Sequence, residues 1–217
     1  MSVVQNPLIG RASGKFSNAI FQKWKNLNVI RSKPLTVANP QSPAQVMRRD
    51  MFSAAVQTAR EIAPIITIGF NGFKSTLTWM NVFINRSFLG FITPGIAPDF
   101  NVNPTAIIIS DGPMTPTAVA TVVATDASPN VTITWDPAIL AADQAATDLP
   151  MLVVLNEPAG QVVYRVGVAA IQRSVGTAVV TFPLPNVTGE DIYGYLFFQR
   201  IDGSMVSSNT FLMVTVP

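Results

Sequence analysis

The chain has 217 residues, no cysteine and no histidine, and only 12% of its residues are charged. These absences exclude disulfide bonds and thiolate metal sites, and they remove the commonest general base and metal ligand at neutral pH. Because an average soluble domain has about 25% charged residues, much of this surface must be neutral or apolar, which is typical of surfaces that other subunits cover.

The charges are unevenly distributed along the chain. Residues 1–49 contain eight lysines or arginines and no acid, whereas residues 99–217 contain ten acids and three bases. A chain of this kind is a dipole with a basic beginning and an acidic remainder. The pattern predicts that the basic part either docks on the acidic part of another copy or faces a different polyanion.

Residues 1–13 are predicted to form an irregular arm, because Pro7 and Gly10 interrupt any periodic pattern. The arm does not show the basic region followed by an apolar region that is typical of a secretory signal. Further along the chain, no apolar run reaches the roughly 20 uninterrupted residues that a membrane-spanning helix needs. We therefore expect no membrane span.

The stretch from Lys15 to Ser32 alternates polar and apolar residues as a strand pair does. We predict a ribbon with strands at 15–24 and 28–32, a turn at Lys25-Asn26 and an end at Lys33-Pro34, since proline offers no ladder donor. A two-stranded ribbon is marginal alone in water, so its apolar side chains must be covered. We predict that the partner-binding residues are Arg11, Lys15, Phe16, Phe21, Lys23, Trp24, Lys25, Arg31 and Lys33.

A helix is predicted to begin at Ser42-Pro43-Ala44-Gln45, where serine fits the N-cap, proline the first helical position and glutamine the capping box. It should continue to about Ala63 and stop at Pro64. Helical spacing predicts that its apolar stripe consists of Val46, Phe52, Val56, Ala59 and Ile62 or Ala63.

A second helix is predicted from Gly72 or Phe73 to about Leu89, and the two helices would form a helical hairpin. Its predicted core residues are Leu77, Met80, Phe83, Ile84 and Phe88. Residues 93–103 are rich in proline, glycine and asparagine, which is typical of a linker. We therefore predict three parts: a basic arm and β-ribbon at 1–41, a helical hairpin at 42–98 and a β-domain at 99–217.

The last part is predicted to be an antiparallel β-sandwich of the immunoglobulin or fibronectin type, which makes the fold class α+β. Asp202-Gly203 lies between two alternating runs and is a strong hairpin signal. The Ala-rich segment 139–148 is predicted to be a short helix or a long loop. The eight predicted strands are Ala106–Ser110, Thr117–Ala124, Val131–Trp135, Met151–Asn156, Gln161–Ala170, Ala178–Phe182, Ile192–Arg200 and Thr210–Val216.

Catalytic chemistry is difficult to build from these residues. A serine nucleophile would need a base, and the chain has no histidine. Most of the ten acids after residue 98 fall in predicted turns, where aspartate ordinarily bonds to nearby backbone amides, and their spacing matches no calcium loop. We therefore expect no catalytic residues, no cofactor, no metal site and no small-molecule substrate.

The basic stretch has two further interpretations. Gly10–Lys15 resembles a phosphate-binding loop only superficially, because it has three residues between its glycines instead of four, phenylalanine in place of serine or threonine, and no preceding strand. Basic residues interleaved with Phe16, Phe21 and Trp24 are also typical of single-stranded nucleic-acid binding. Docking on the acidic part of another copy and nucleic-acid contact are both left open, with docking favoured.

The segments GRASGKFSNAIFQKWKNLNVIRSKP and NPQSPAQVMRRDMFSAAV resemble the N-terminal pattern of a family of Bacteroidota bacteria and their phages. The relatives commonly have glycine where this chain has Ser17 and Asn26. The family has no established activity, so the resemblance implies no catalytic residues, and its occurrence in phages implies a virion structural component. The matching positions are Gly10, Ser13, Gly14, Asn18, Trp24, Lys25, Arg31, Pro34, Asn39, Pro40, Ser42 and Gln45.

Together these observations favour a non-enzymatic structural protein, most simply a phage capsid or other virion component, that assembles through its N-terminal arm. Its expected partners are other copies and other virion proteins, and its expected location is the virion, assembled in the host cytoplasm. The alternatives are a nucleic-acid-binding protein that uses the basic segment, or an adhesion or carbohydrate-binding module in the bacterial cytoplasm or on the cell surface.

Overall fold

In the residues that it describes, the computed structural model combines three α-helices with several antiparallel sheets, so the fold is a mixed α+β arrangement. The chain forms two compact units, Met1–Ser42 and Pro43–Pro217, and we call the second unit the body. The structure describes residues 2–4, 14–24, 27–33, 41–73, 77–96, 99–117, 119–139, 141–156, 161–165, 167 and 171–217.

The first unit contains a four-stranded antiparallel sheet, which we call the basic sheet. Its strands are β1 (Ser2–Val4), β2 (Gly14–Phe16), β3 (Ala19–Trp24) and β4 (Leu27–Ser32), in the order β1-β4-β3-β2. The predicted irregular arm was wrong for Ser2–Val4, since these residues pair with β4 and Val3 lies opposite Val29. Three residues are too few for a periodic signal, so only the distant partner reveals this strand.

The predicted strand over residues 15–24 was also wrong, because a turn at Ser17 and Asn18 divides it into β2 and β3. Ser17 has a φ of 49°, a left-handed conformation that costs an ordinary residue about 1–2 kcal/mol. The alternation continues across this turn and therefore hides it. The second predicted strand is confirmed as β4, and the turn predicted at Lys25 and Asn26 lies outside the described residues.

The first helix, α1 (Pro43–Glu61), begins where the sequence predicts. Its buried residues are Met47, Met51, Ala55 and Ala59, so the predicted stripe was wrong except at Ala59 and the following Ile62. Phe52 is 52% exposed. The pattern favoured large branched and aromatic residues, whereas the observed stripe uses flexible methionines and two alanines that let α1 pack closely.

Pro64 does not end a helix but lies in the first turn of a short one, α2 (Ala63–Gly69), where a missing amide costs nothing. The predicted second helix is confirmed over a shorter range as α3 (Trp79–Phe91), which begins at Thr78, whose hydroxyl accepts the Asn81 amide at 3.3 Å. Residues 71–73 form a 3₁₀ helix instead. Phe83 is fully buried as predicted, whereas Leu77 is exposed.

The predicted linker contains a small hairpin of β5 (Ile92–Pro94) and β6 (Phe100–Val102). The next segment, 107–110, belongs to the predicted strand Ala106–Ser110 but pairs with none of the strands that the structure describes. Its backbone is satisfied by side chains instead: the Ser87 hydroxyl bonds both the amide and the carbonyl of Ile108 at 3.1 Å, and the Asn209 carboxamide oxygen accepts the Ile109 amide at 3.1 Å.

The other seven predicted strands are found, with shifted ends, in two antiparallel sheets. The strands are β7 (Ala120–Ala124), β8 (Asn130–Trp135), β9 (Leu149–Asn156), β10 (Gln161–Arg165), β11 (Thr177–Thr181), β12 (Asp191–Gln199) and β13 (Thr210–Thr215). The four-stranded sheet has the order β10-β9-β12-β13, and the three-stranded sheet the order β11-β8-β7. The Asp202-Gly203 hairpin signal is confirmed, since it lies between β12 and β13, which pair.

The central strands β9 and β12 bury side chains on both faces of their sheet. In β9, Met151 and Val153 join a core with the three helices, while Leu152 and Val154 join a second core with the three-stranded sheet. In β12, Tyr195 and Phe197 alternate in the same way with Leu196 and Phe198. The domain boundary predicted near Asp99 thus falls inside the body, whose first core contains residues from both sides of it.

The outer face of the three-stranded sheet explains part of the low charge content. Thr177, Thr134 and Thr121 lie side by side across β11, β8 and β7, and the hydroxyls of the last two are 2.6 Å apart. Val179, Thr132 and Val123 form the next row. None of these positions is charged, so neutral β-branched residues cover a surface that charged residues usually occupy.

Replacing Ala127 by glycine is expected to raise the free energy of unfolding by about 0.5–1 kcal/mol. Ala127 has a φ of 56°, a left-handed conformation that costs free energy for alanine but not for glycine. This gain exceeds the free energy lost because glycine raises the entropy of the unfolded chain. Urea denaturation measures the change. The control is Ala124→Gly at a buried position of β7, which should destabilise the protein; destabilisation by both substitutions would contradict the prediction.

Candidate assembly interface

The basic sheet places two of the predicted binding residues on one face. Lys15 in β2 and Arg31 in β4 both lie directly opposite Ile20 in β3, and residues opposite one another share a face. Lys15 and Arg31 are exposed and Ile20 is half-buried. With about 4.8 Å between neighbouring strands, the two charges are about 10 Å apart along the sheet.

The remaining predicted residues are distributed differently. Lys33 is exposed just after β4, and its amide donates to the Asn18 carbonyl at 2.7 Å. Phe21 follows Ile20 in the strand and therefore lies on the opposite face from Lys15 and Arg31. Phe16, Lys23 and Trp24 belong to strands, but their side chains lie outside the described structure, as do Arg11 and Lys25 altogether.

The body carries fixed negative charges at one end of its sheets, which we call the acidic end: Asp126, Glu190 and Asp191. The Asp126 carboxylate accepts the Thr188 amide at 3.0 Å, and the Glu190 carboxylate accepts the Asn156 carboxamide at 2.6 Å. The Asp191 carboxylate accepts the Thr215 hydroxyl at 2.7 Å. Within the described residues, neither of the ion pairs involves these three acids, so their charges remain available to a basic partner.

The body also contains a buried ion pair that the sequence does not predict. Arg173 and Asp148 are both fully buried, with 3.4 Å between Arg173 Nε and Asp148 Oδ2. The guanidinium lies 3.8 Å from the centre of the Phe198 ring, and burial lowers the pKa of Arg173, which the Asp148 charge partly offsets. Neither residue has a periodic or motif context, so the sequence offers no signal that would have found the pair.

A cleft of about 630 Å³ opens between α3, the 107–111 segment and the start of β13. Arg86 and Asp111 pair across its edge at 2.8 Å and neutralise each other. The Ser110 hydroxyl is bonded to the carbonyls of Gly69 and Ser207. The cleft therefore offers a mixed polar and apolar surface on which Arg86, Asp111 and the Ser110 hydroxyl are already engaged.

The described parts of the chain offer little else that could hold a ligand. No group of three or more aspartates or glutamates in them is arranged to bind a metal ion. None of the helices there is long and apolar enough to cross a membrane. The surfaces that stand out are therefore the basic sheet and the acidic end.

Stability is expected to fall as the pH is lowered below about 4, the ordinary aspartate range, partly because of Asp143. The Thr115 amide donates to its carboxylate at 2.6 Å, and this bond lowers the pKa of Asp143. A carboxyl with a lowered folded-state pKa stabilises above its unfolded pKa and loses that contribution as the pH falls through the folded value. Thermal melts at a series of pH values should therefore show a smaller fall in melting temperature below about pH 4 for Asp143→Asn than for the wild type. An equal fall in the two proteins would contradict this.

Comparison with known proteins gives one result for nearly the whole chain. A model described as a family of unknown function (DUF6266) matches residues 11–213, from just before β2 to within β13. No curated protein matches the chain. The match includes both the basic sheet and the body, so the two units occur together in that family's pattern.

Proposed function

We propose that this chain, which belongs to the DUF6266 family, is a non-enzymatic structural protein whose copies assemble into a larger particle through the basic sheet. One observation carries the proposal: all twelve acids lie in the body, whereas the first unit has six lysines or arginines and no acid. Lys15, Arg31 and Lys33 are exposed on the first unit, whose sequence has no acid. The acidic end of the body offers a complementary surface.

Docking of the basic sheet on the acidic end of a neighbouring copy would use several weak contacts at once. An exposed ion pair contributes only about 0.2–1 kcal/mol, so three lysines or arginines alone give a weak contact. In a closed particle the basic sheet of each copy would contact one neighbour, and its acidic end would contact another. These linked contacts together bind more strongly than each one alone. The half-buried apolar side chains of the sheet, such as Ile20 and Phe21, would add burial.

The two sheets that share the second core are, in this proposal, the halves of an immunoglobulin-like or fibronectin-like sandwich that faces outward in the particle. The resemblance to a family found in phages supports a virion component, most simply of a capsid, that is assembled in the host cytoplasm. Other copies and other virion proteins would be its partners.

Light scattering coupled to size-exclusion chromatography tests the proposal. We expect the full chain to form large assemblies and a chain without residues 1–42 to be a folded monomer, because the body is a compact unit of its own. The triple variant Lys15→Glu, Arg31→Glu, Lys33→Glu should also lose assembly, whereas Arg60→Glu, an exposed change on α1, should not. Assembly without residues 1–42 would overturn the proposal.

The competing proposal is nucleic-acid binding by the face that carries Lys15 and Arg31. Phosphate contacts of this kind are strong at about 50 mM salt and weaken steeply as salt rises. Fluorescence anisotropy with single-stranded DNA at that salt would show binding that the triple charge reversal abolishes. No binding under these conditions would rule this function out and leave assembly as the role of the basic sheet.

A further inference from the structure

We infer that the buried pair of Arg173 and Asp148 encloses a bound water molecule inside the body. Both side chains are completely buried. A guanidinium has five N–H donors and a carboxylate has several acceptor sites, and buried groups of this kind are almost always paired with protein or with ordered water. The inference concerns a hydration site and does not depend on the proposed assembly.

Within the described structure, the hydrogen bonds of the pair are incomplete. All three guanidinium nitrogens of Arg173, Nε, Nη1 and Nη2, have no hydrogen-bond partner, and neither does Asp148 Oδ1. The other carboxylate oxygen, Oδ2, accepts the Ala145 amide at 2.7 Å. The 3.4 Å between Nε and Oδ2 is longer than a good charge-assisted bond of about 2.7–2.9 Å.

The chemistry of these free groups selects the ligand. The pair as a whole is neutral, so it has no net charge to hold an ion. Its unpartnered atoms are donors on Arg173 and an acceptor on Asp148, so the ligand must both accept and donate hydrogen bonds. The site is closed to solvent, and the Phe198 ring occupies one face of the guanidinium. A water molecule is small enough and has both functions.

The water would link two chain segments that already touch. The Arg173 amide donates to the Asp148 carbonyl at 2.7 Å, and the Ser174 amide donates to the Ala146 carbonyl at 3.1 Å. The Trp135 indole also donates to the Arg173 carbonyl at 2.8 Å. The backbone around the pair is therefore held by hydrogen bonds. A water between an Arg173 Nη and Asp148 Oδ1 would provide partners for the side-chain atoms as well.

Magnetic relaxation dispersion of water ¹⁷O, which counts long-lived internal waters, tests the inference on the full chain. We expect the double variant Arg173→Met, Asp148→Leu to lose the signal of at least one water relative to the wild type. The matched control Arg86→Met, Asp111→Leu removes an ion pair that is exposed and should lose none. An unchanged signal in the folded first variant would overturn the inference.

A crystal structure of the wild type gives an independent readout if the double variant does not fold. Electron density for a water within hydrogen-bonding distance of Asp148 Oδ1 and an Arg173 nitrogen would support the site. A carboxylate that instead turns to bond two guanidinium nitrogens directly, with no water between them, would overturn it.

Discussion

Replacing Arg173 by methionine is expected to lower the free energy of unfolding by about 3–5 kcal/mol, the usual result of breaking a buried ion pair from one side. Methionine has a similar volume and can lie against the Phe198 ring that the guanidinium now covers, so loss of packing is small. The cost arises because Asp148, completely buried, would keep a carboxyl without its cation. Since small domains are stable by only about 5–15 kcal/mol, this single change removes a large share of the total.

Three variants measured by urea denaturation separate charge from packing. Arg86→Met removes the cation of the exposed pair with Asp111 and should cost at most about 1 kcal/mol. The double variant Arg173→Met, Asp148→Leu should be more stable than Arg173→Met alone, because it removes the orphaned carboxyl as well. A double variant less stable than Arg173→Met would show that the loss comes from packing and not from the unpaired Asp148 charge.

Local signals in the sequence were sufficient where an element is determined by its own residues and their neighbours in the chain. The start of α1 at Pro43 follows from capping chemistry that involves only neighbouring positions. Strands such as β8 follow from alternation within the strand. The uncharged outer face of the three-stranded sheet likewise follows from composition, because threonine and valine at alternate positions leave no place for charge.

The sequence was insufficient where a distant residue decides the local structure. The segment 107–110 has the composition of a strand, but Ser87 and Asn209 take its hydrogen bonds. The stripe of α1 was misplaced because two alanines mark a close helix contact that depends on the neighbouring elements. Packing across the predicted boundary near Asp99 likewise depends on distant residues, since β9 and β12 bury one face against helices that precede them by many residues.

For the candidate site, the charges could be predicted from the sequence but their arrangement could not. Counting residues identified Lys15, Arg31 and Lys33, and only the register of β2, β3 and β4 places the first two on one face. The turn at Ser17, which sets that register, was hidden because alternation does not distinguish a tight turn from two more strand residues. Arg173 and Asp148 are 25 positions apart, the first at the start of a 3₁₀ helix and the second in a loop, and no pattern in the sequence links them.

Replacing Gly69 by alanine is expected to destabilise the body by about 3 kcal/mol, the upper part of the usual range for overpacking. A Cβ at this position would lie 2.2 Å from the Ile109 carbonyl oxygen and 3.0 Å from Ser110 Cα. Both are backbone atoms, so no side-chain rotation relieves the clash. The 107–110 segment cannot move away freely, because Ser87 and Asn209 hold its backbone.

Gly72 supplies the matched control for this prediction, since a Cβ there would meet no atom within 4 Å. Gly72→Ala should leave stability unchanged or raise it by up to about 1 kcal/mol through the entropy of the unfolded chain. Thermal melts of the two variants give the comparison, and amide chemical shifts of residues 107–111 should move only in Gly69→Ala. Equal stability of both variants would show that α2 and the 107–110 segment separate easily, and the cleft lined by Ser110 and Asp111 would then have a mobile wall.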